Sequence, residues 1–239
     1  MLARQNWFKR IAQVKANNRI PIIAEIKPSS PAAGQLLCDR TLADIVNAYT
    51  TGGAACISVV TGRWFGGNLA MLAQIAQLTD LPLLRKDLIV NADQIKKSID
   101  HGANAVLLTK KILQTSHLVK LLDLCLSLDV TPFVEVSTKA EIDELPVNRQ
   151  MIIGIANRDI AQKEMDIDSG LNSLSLIAHA LPKAGAIMSA SGIHTPEEAN
   201  ALYDAGFDGL LVGTSLLQAN NPQQAVTRLS TKINVSEFL

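Results

Sequence analysis

The amino-acid sequence predicts a (β/α)8 barrel, the TIM-barrel fold of the α/β class, with a short N-terminal helix ahead of the barrel. Eight short apolar runs alternate with eight amphipathic helical windows within 239 residues, which is the element count of this fold. Three helix-to-strand joints, around Gly52, Gly102 and Gly206, resemble one another as repeated units would. No linker-like stretch divides the chain, so we expect one domain, with a leading helix in residues 1–20 and the barrel in residues 21–239.

The predicted elements follow from hydrophobic spacing and from the residues that end each run. Trp7, Ile11 and Val14 recur at helical spacing and predict the leading helix. The strand candidates, which end in polar or glycine-rich sequence, are Ile22–Lys27, Ala55–Val60, Pro82–Arg85, Ala105–Leu108, Pro132–Val136, Met151–Ile155, Ala186–Ser189 and Gly209–Val212. The helical windows, which end near Gly or Asn, are Leu42–Thr50, Asn68–Leu78, Ala92–Asp100, Ser116–Leu128, Lys139–Leu145, Asn172–Ala180, Pro196–Ala205 and Pro222–Lys232.

A doubly wound open sheet is the alternative fold for alternating strands and helices. Its usual Gly-x-Gly-x-x-Gly turn is missing after the first predicted strand, which ends at Lys27. We therefore prefer the barrel.

Composition and charge exclude several classes of protein. Lys and Arg total 22, as do Asp and Glu, so we expect no nucleic acid and no membrane among the partners. No apolar run approaches the roughly 18 residues of a membrane span, and the charged N-terminus does not look like a secretory signal, so we expect a soluble cytoplasmic protein. Cys38, Cys56 and Cys125 are odd in number and widely spaced, which argues against disulfides or a zinc site and predicts buried small side chains.

Charged residues recur at the C-terminal ends of the predicted strands, where barrel enzymes build their active sites. Glu25 and Lys27 lie two residues apart in the first strand and therefore share a face. Lys86 follows the third strand, and Glu135 lies in the fifth. Two lysines and two carboxylates that converge can tune one another's proton affinity, so these four are candidate catalytic acids and bases. The alternative is that these residues form structural ion pairs at the barrel rim. That alternative easily explains one charged residue at a strand end, but it explains four of them poorly.

Small, amide-rich turns follow the last two predicted strands, the usual position of a phosphate in this fold. They are Ser191-Gly192 and Gly213-Thr214, and Ser30 after the first strand could complete the site. Taken singly, each turn could instead serve only to cap the helix that follows it. The loop at residues 63–67, which contains Phe65, is either a lid over an aromatic substrate or a loop packed on its neighbour.

Taken in order along the chain, these motifs resemble the indole-3-glycerol phosphate synthase family. The resemblance covers nearly the whole chain, and as an ordered set the motifs are highly specific. They are Ile23-Ala24-Glu25-Ile26-Lys27 with Ser30-Pro31, Leu84-Arg85-Lys86-Asp87, Val106-Leu107-Leu108, Val134-Glu135-Val136, Ile153-Gly154-Ile155 with Asn157-Arg158-Asp159, Ser191-Gly192-Ile193, and Val212-Gly213-Thr214-Ser215.

The resemblance implies a lyase of tryptophan biosynthesis that closes the indole ring of 1-(2-carboxyphenylamino)-1-deoxyribulose 5-phosphate, with loss of carbon dioxide and water. It implies a sugar phosphate as the small-molecule partner, and no metal or organic cofactor. By the same resemblance, Lys86 would protonate the substrate carbonyl, and the residues that would serve decarboxylation and dehydration are Lys27, Glu25 and Glu135. The implied substrate-binding residues are Phe65, Leu88, Leu107, Asn157 and Arg158. The implied phosphate-binding residues are Ser30, Ser191, Gly192, Gly213 and Thr214.

The sequence departs from the family pattern at three strand exits. Ala156 stands where the sixth motif usually has Asn, Ala190 where the seventh usually has Glu, and Leu88 where a Phe usually lines the aromatic pocket. These departures leave two alternatives open: a diverged paralogue in secondary metabolism that acts on a different aryl-amino sugar phosphate, and a non-catalytic binder of a phosphate ligand. The sequence also leaves open whether the protein is a monomer or a weak homodimer, and whether it associates with other enzymes of the pathway.

Overall fold

Eight parallel strands close into a barrel. The computed structural model of the chain describes residues 4–157 and 171–233. Each strand pairs with the next in chain order, and the eighth pairs with the first, with Leu210 opposite Ile22, so the predicted (β/α)8 barrel is confirmed. The strands are β1 (Ile22–Ile26), β2 (Cys56–Val60), β3 (Leu83–Lys86), β4 (Ala105–Thr109), β5 (Thr131–Val136), β6 (Asn148–Ala156), β7 (Ala184–Ala190) and β8 (Gly209–Val212).

Helices surround the barrel and connect its strands. The first helix precedes β1, as predicted. The helices are α1 (Trp7–Ala16), α2 (Leu42–Gly52), α3 (Leu69–Leu78), α4 (Ala92–Asp100), α5 (Thr115–Ser127), α6 (Lys139–Asp143), α7 (Ile177–Ala180), α8 (Pro196–Asp204), α9 (Thr214–Gln218) and α10 (Pro222–Ser230). Within the described ranges, no helix combines the length and the apolar character needed to cross a membrane.

Most predicted element ends lie within two residues of the observed ends, but several features differ. Strand β6 begins at Asn148, three residues before the predicted start, because Asn148 pairs with Ala184 across an irregularity that interrupts the side-chain alternation. The window predicted as one helix at residues 172–180 is a 3-10 turn followed by the short α7. Helix α9 was not predicted, because five residues are too few to show a helical period.

Capping interactions fix where four of the helices start. Each begins after a Thr or Asn cap residue whose side chain accepts a hydrogen bond from the backbone N–H of the residue three positions later. The side chain of that later residue in turn accepts a hydrogen bond from the backbone N–H of the cap residue. The pairs are Thr41 with Asp44, Asn91 with Gln94, Thr138 with Glu141, and Thr195 with Glu198. Because these helices follow strand exits, the caps also set where the loops around the barrel mouth end.

Side-chain alternation along the strands divides the apolar residues into two cores. In β1, Ile22, Ala24 and Ile26 pack outward with the surrounding helices, whereas Ile23 belongs to the core inside the barrel. Trp7 of α1 is fully buried in that inner core, and its indole Nε1 donates a hydrogen bond of 3.0 Å to Asn104 Oδ1. Helix α1 therefore packs against the inner core, and the alternation directs Glu25 to the same side of β1 as Ile23.

The cysteine prediction is correct for two residues and wrong for the third. Cys56 in β2 and Cys125 in α5 are buried, but Cys38 is exposed in the loop between β1 and α2, where the chain takes a left-handed φ of 50°. All three are free thiols. Burial raises the pKa of Cys125 to about 12, and burial also raises the pKa of Cys56 well above its ordinary value.

Thiol reactivity tests this burial pattern. At pH 8 we expect Cys38 to react with a disulfide reagent within minutes, and Cys56 and Cys125 to react only in denaturant, because a thiolate is the reacting form and burial suppresses it. The measurement is the number of thiols titrated per folded chain, with Cys38→Ser as the control. Rapid reaction of the folded Cys38→Ser variant would show that the buried sites open readily and would contradict the burial of Cys56 and Cys125.

Candidate active site

Four charged side chains from three strands meet inside the barrel mouth. Lys27 Nζ lies 3.3 Å from Glu25 Oε1, at the end of β1. Lys86 Nζ, at the end of β3, lies 3.9 Å from Glu25 Oε2 and 3.8 Å from Glu135 Oε2 of β5. The structure thus brings the four candidate acids and bases together, with Lys86 between the two carboxylates.

Burial makes these contacts interdependent. Glu25 and Lys27 are each only 3% exposed, and Glu135 is 7% exposed. A buried charge is costly unless an opposite charge or hydrogen bonds compensate it, so the opposite charges of this cluster depend on one another. Glu25 faces both lysines and is therefore the link between them. Such a cluster can both donate and accept protons within one small volume.

A second ion pair lies on the outer side of β3, next to Lys86 in the sequence. Arg85 Nη2 lies 2.8 Å from Asp87 Oδ2, and Arg85 Nε donates a hydrogen bond of 2.9 Å to Thr61 Oγ1. The Thr61 hydroxyl in turn donates a hydrogen bond of 2.6 Å to Asp87 Oδ2. Because Arg85 and Asp87 flank Lys86, this network fixes the backbone that presents Lys86. Sequence reasoning assigned it no role, although charges on both sides of a strand residue were the available signal.

An apolar pocket adjoins the cluster on the Lys86 side. Phe65 reaches it from a 3-10 turn at residues 63–65, Leu88 approaches from the loop after β3, and Leu107 lies within β4. Lys86 lines the same pocket. Lys27 Nζ lies 5.5 Å from the centre of the Phe65 ring, a cation–π distance that ties this turn to the charged cluster.

A second pocket adjoins the cluster on the side of Glu25 and Lys27. Its other walls include the two predicted turns, Ser191-Gly192 after β7 and Gly213-Thr214 after β8. Ser191 and Gly192 both have a left-handed backbone, with φ of 69° and 70°. Successive amides in such turns form concave sites that bind anions. The charged cluster therefore lies between an apolar pocket and an amide-rich pocket.

Residue 213 has to be glycine because it lies against the Glu25 side chain. A Cβ atom at this position would lie 2.5 Å from Glu25 Oε1 and 3.1 Å from Glu25 Cβ. Any larger residue would displace the carboxylate, because real Cβ atoms do not approach other atoms so closely. The absence of a side chain at Gly213 thus preserves the geometry of the cluster.

Two of the predicted binding residues line neither pocket, and a third falls outside the described ranges. Ser30 lines neither of the two pockets, and its hydroxyl accepts a hydrogen bond of 3.0 Å from the Ala33 N–H within a small hairpin that the sequence did not predict. Asn157 follows β6, and its amide is bound by neighbouring protein groups rather than facing either pocket. Arg158 lies outside the described residues. In the part of the chain that the structure describes, no three potential metal ligands of the His, Cys, Asp or Glu type cluster together.

Sequence comparison shows the family to which the chain belongs. The sequence profile of the indole-3-glycerol phosphate synthase family matches residues 3–229. The chain belongs to this family. It is similar to the indole-3-glycerol phosphate synthase from Crocosphaera subtropica. The two are 36% identical over 211 residues, which are 87% of this chain and 72% of that relative. The synthase from Mycobacterium ulcerans is 38% identical over 213 residues, which are 89% of this chain and 77% of that relative.

Ala156 and Ala190, at which the resemblance led us to expect polar residues, are neighbours in the barrel. Ala156 ends β6, Ala190 ends β7, and the two residues pair directly in the strand register. Ala190 is buried and packs within the inner core. The two expected departures therefore lie together, with methyl groups at a single place on the barrel rim.

The ion pair beside Lys86 generates a stability prediction. Asp87→Ala leaves the buried Arg85 guanidinium without its carboxylate, so we expect a loss of about 3 kcal/mol in the free energy of unfolding. Urea unfolding of the two proteins measures it. Asp100→Ala, which removes an exposed carboxylate from α4, is the matched control and should change stability by less than about 0.5 kcal/mol. Equal losses in both variants would show that the Arg85 pair contributes nothing specific.

Proposed function

We propose that this chain is an indole-3-glycerol phosphate synthase, a carboxy-lyase that closes the indole ring of 1-(2-carboxyphenylamino)-1-deoxyribulose 5-phosphate and releases carbon dioxide and water. Membership of the family supports the reaction. The observation that carries the proposal is the position of the buried charged cluster between an apolar pocket and an amide-rich pocket. These three parts correspond to the reacting carbons, the aromatic ring and the phosphate of one substrate.

The two pockets suggest how the substrate lies. The apolar pocket of Phe65, Leu88 and Leu107 suits the carboxyphenyl ring. The phosphate then binds at the turns of Ser191-Gly192 and Gly213-Thr214, because backbone amides bind a phosphate dianion without requiring a net positive protein. In this orientation the ribulose carbons lie over the charged cluster, where bond formation has to occur.

The cluster can supply each proton transfer of the reaction. Ring closure joins the aromatic carbon that bears the carboxylate to the substrate carbonyl carbon, and Lys86, which lines the aromatic pocket, protonates the carbonyl oxygen. Loss of carbon dioxide then restores the aromatic ring, and loss of the new hydroxyl as water completes the indole. Lys27, Glu25 and Glu135 serve these later steps as proton donors and acceptors, because they lie around Lys86 in one buried network.

The direct test is turnover of this ribulose phosphate by the purified chain, followed by indole fluorescence. We expect the wild-type protein to form product, and Lys86→Ala to lose about 10²–10⁴-fold in kcat, the usual contribution of a positioned general acid. Lys97→Ala, an exposed lysine of α4, is the control and should retain wild-type activity.

Two outcomes would count against this proposal. A wild-type protein that binds phosphate ligands but forms no indole product would be a binder and not a synthase. Normal turnover by Lys86→Ala would leave the synthase activity standing but would remove Lys86 from the chemistry.

The contact between Gly213 and Glu25 generates a further prediction. Gly213→Ala places a methyl group against the Glu25 carboxylate and the phosphate turn at once, so we expect kcat/KM to fall at least about 10-fold while the protein remains folded. Steady-state kinetics measured well below the melting temperature of the variant test it. A folded Gly213→Ala variant with unchanged kcat/KM would show that the position of Glu25 is not critical.

A further inference from the structure

The Asn157 side chain follows β6 and is almost completely buried. Its Nδ2 lies within hydrogen-bond distance of three acceptors, at 3.0 Å from Ser189 Oγ, 3.2 Å from the Ala190 carbonyl oxygen and 2.8 Å from the Ser191 carbonyl oxygen. Its Oδ1 accepts a hydrogen bond of 2.7 Å from the Ser173 N–H. Both polar atoms of the amide are therefore engaged by protein groups.

These contacts give Asn157 a different role from the predicted substrate contact. An amide has two N–H donors and one carbonyl acceptor, and all of them point to β7, to the turn after it, or to residue 173. Asn157 also lines neither pocket. A buried amide whose nitrogen and oxygen are both hydrogen-bonded to protein groups fixes the relative position of the segments it joins.

The segment that Asn157 holds is the strained half of the amide-rich pocket. Ser191 is not glycine, yet its φ of 69° lies in the left-handed region, which costs free energy for a residue with a Cβ. Such a conformation persists only where its surroundings enforce it. The Ser191 N–H donates a hydrogen bond of 3.2 Å to the Leu211 carbonyl oxygen, and Asn157 holds the Ser191 carbonyl from the other side.

We propose that Asn157 is a positioning residue for phosphate binding. It holds the Ser191-Gly192 turn in the left-handed conformation in which this turn lines the pocket beside Gly213 and Thr214. The inference rests on the proposed function, in that the phosphate of the substrate binds at this turn. Asn157 itself touches neither the phosphate nor the reacting atoms.

Asn157→Asp is the variant that isolates this role. The carboxylate keeps the size of the amide and still accepts from the Ser173 N–H, but it cannot donate to the Ala190 and Ser191 carbonyl oxygens. We expect the inhibition constant of inorganic phosphate and the KM of the phosphorylated substrate each to rise about 10-fold or more, with kcat within about threefold of wild type. Asn157→Ala, which introduces no charge, takes its place if the aspartate prevents folding.

Ser173→Ala is the matched control within the same buried cluster. It removes the contact of 2.8 Å between the Ser173 and Ser189 hydroxyls but keeps the Ser173 N–H and all three contacts of Asn157 Nδ2. We expect this variant to lose thermal stability while its inhibition constant for phosphate stays unchanged. An equal rise in that constant for Ser173→Ala and Asn157→Asp would overturn the proposal, because it would reflect general loosening of the cluster.

The remaining outcomes separate this inference from the proposed function. Calorimetric titration of the wild-type protein with inorganic phosphate measures phosphate affinity without any turnover of substrate. A wild-type chain that turns over substrate, with phosphate affinity unaffected by Asn157→Asp, would overturn only the role of Asn157. A wild-type chain that neither turns over substrate nor binds phosphate would overturn the proposed function and this inference with it.

Discussion

The buried carboxylate of Glu25 between two lysines is the interaction on which the barrel mouth depends. Lys27 and Lys86 approach the two oxygens of Glu25 from different strands, at 3.3 Å and 3.9 Å. Removal of one partner from such a buried pair typically costs about 3–5 kcal/mol, because the charge left behind is neither solvated nor paired. The mouth is therefore stable only when β1 and β3 are in their closed-barrel positions, and the fold and the chemistry depend on the same contacts.

Residues around this charged cluster hold its side chains and the adjoining turn in position. Gly213 leaves the space that Glu25 occupies, and the pair of Arg85 and Asp87 holds the backbone on both sides of Lys86. Asn157 stabilises the turn that forms the far wall of the neighbouring pocket. Arg85 also donates hydrogen bonds to Gln94 and Ser98 of α4, so the pair contributes to the packing of that helix as well. Gly213 and Asn157 contact elements of the mouth, so their substitution should affect the site more than the barrel as a whole.

Sequence reasoning located the barrel and the charged cluster because both leave periodic signals. Glu25 and Lys27 stand two apart in an apolar strand, which already places them on one face, and the strand count predicts a closed barrel that brings Lys86 and Glu135 to the same mouth. The same pattern places the turns at Gly192 and Gly213 on adjacent strands.

Features that depend on single contacts could not be predicted in this way. The exposure of Cys38, the hairpin that engages the Ser30 hydroxyl, and the five-residue helix α9 have no periodic signature. Whether a polar side chain such as Asn157 faces a ligand or the protein is decided by atoms that lie far apart in the sequence. Its partners include Ser191, which is 34 residues away.

A crystal structure of the protein with indole-3-glycerol phosphate, the product of the proposed reaction, tests the central claim most directly. We expect the phosphate to contact the turns at Gly192 and Gly213, and the indole ring to lie among Phe65, Leu88 and Leu107 beside Lys86. A phosphate bound away from these turns, or an indole ring beyond reach of the Lys86 ammonium, would contradict the assignment of the two pockets and of the charged cluster between them.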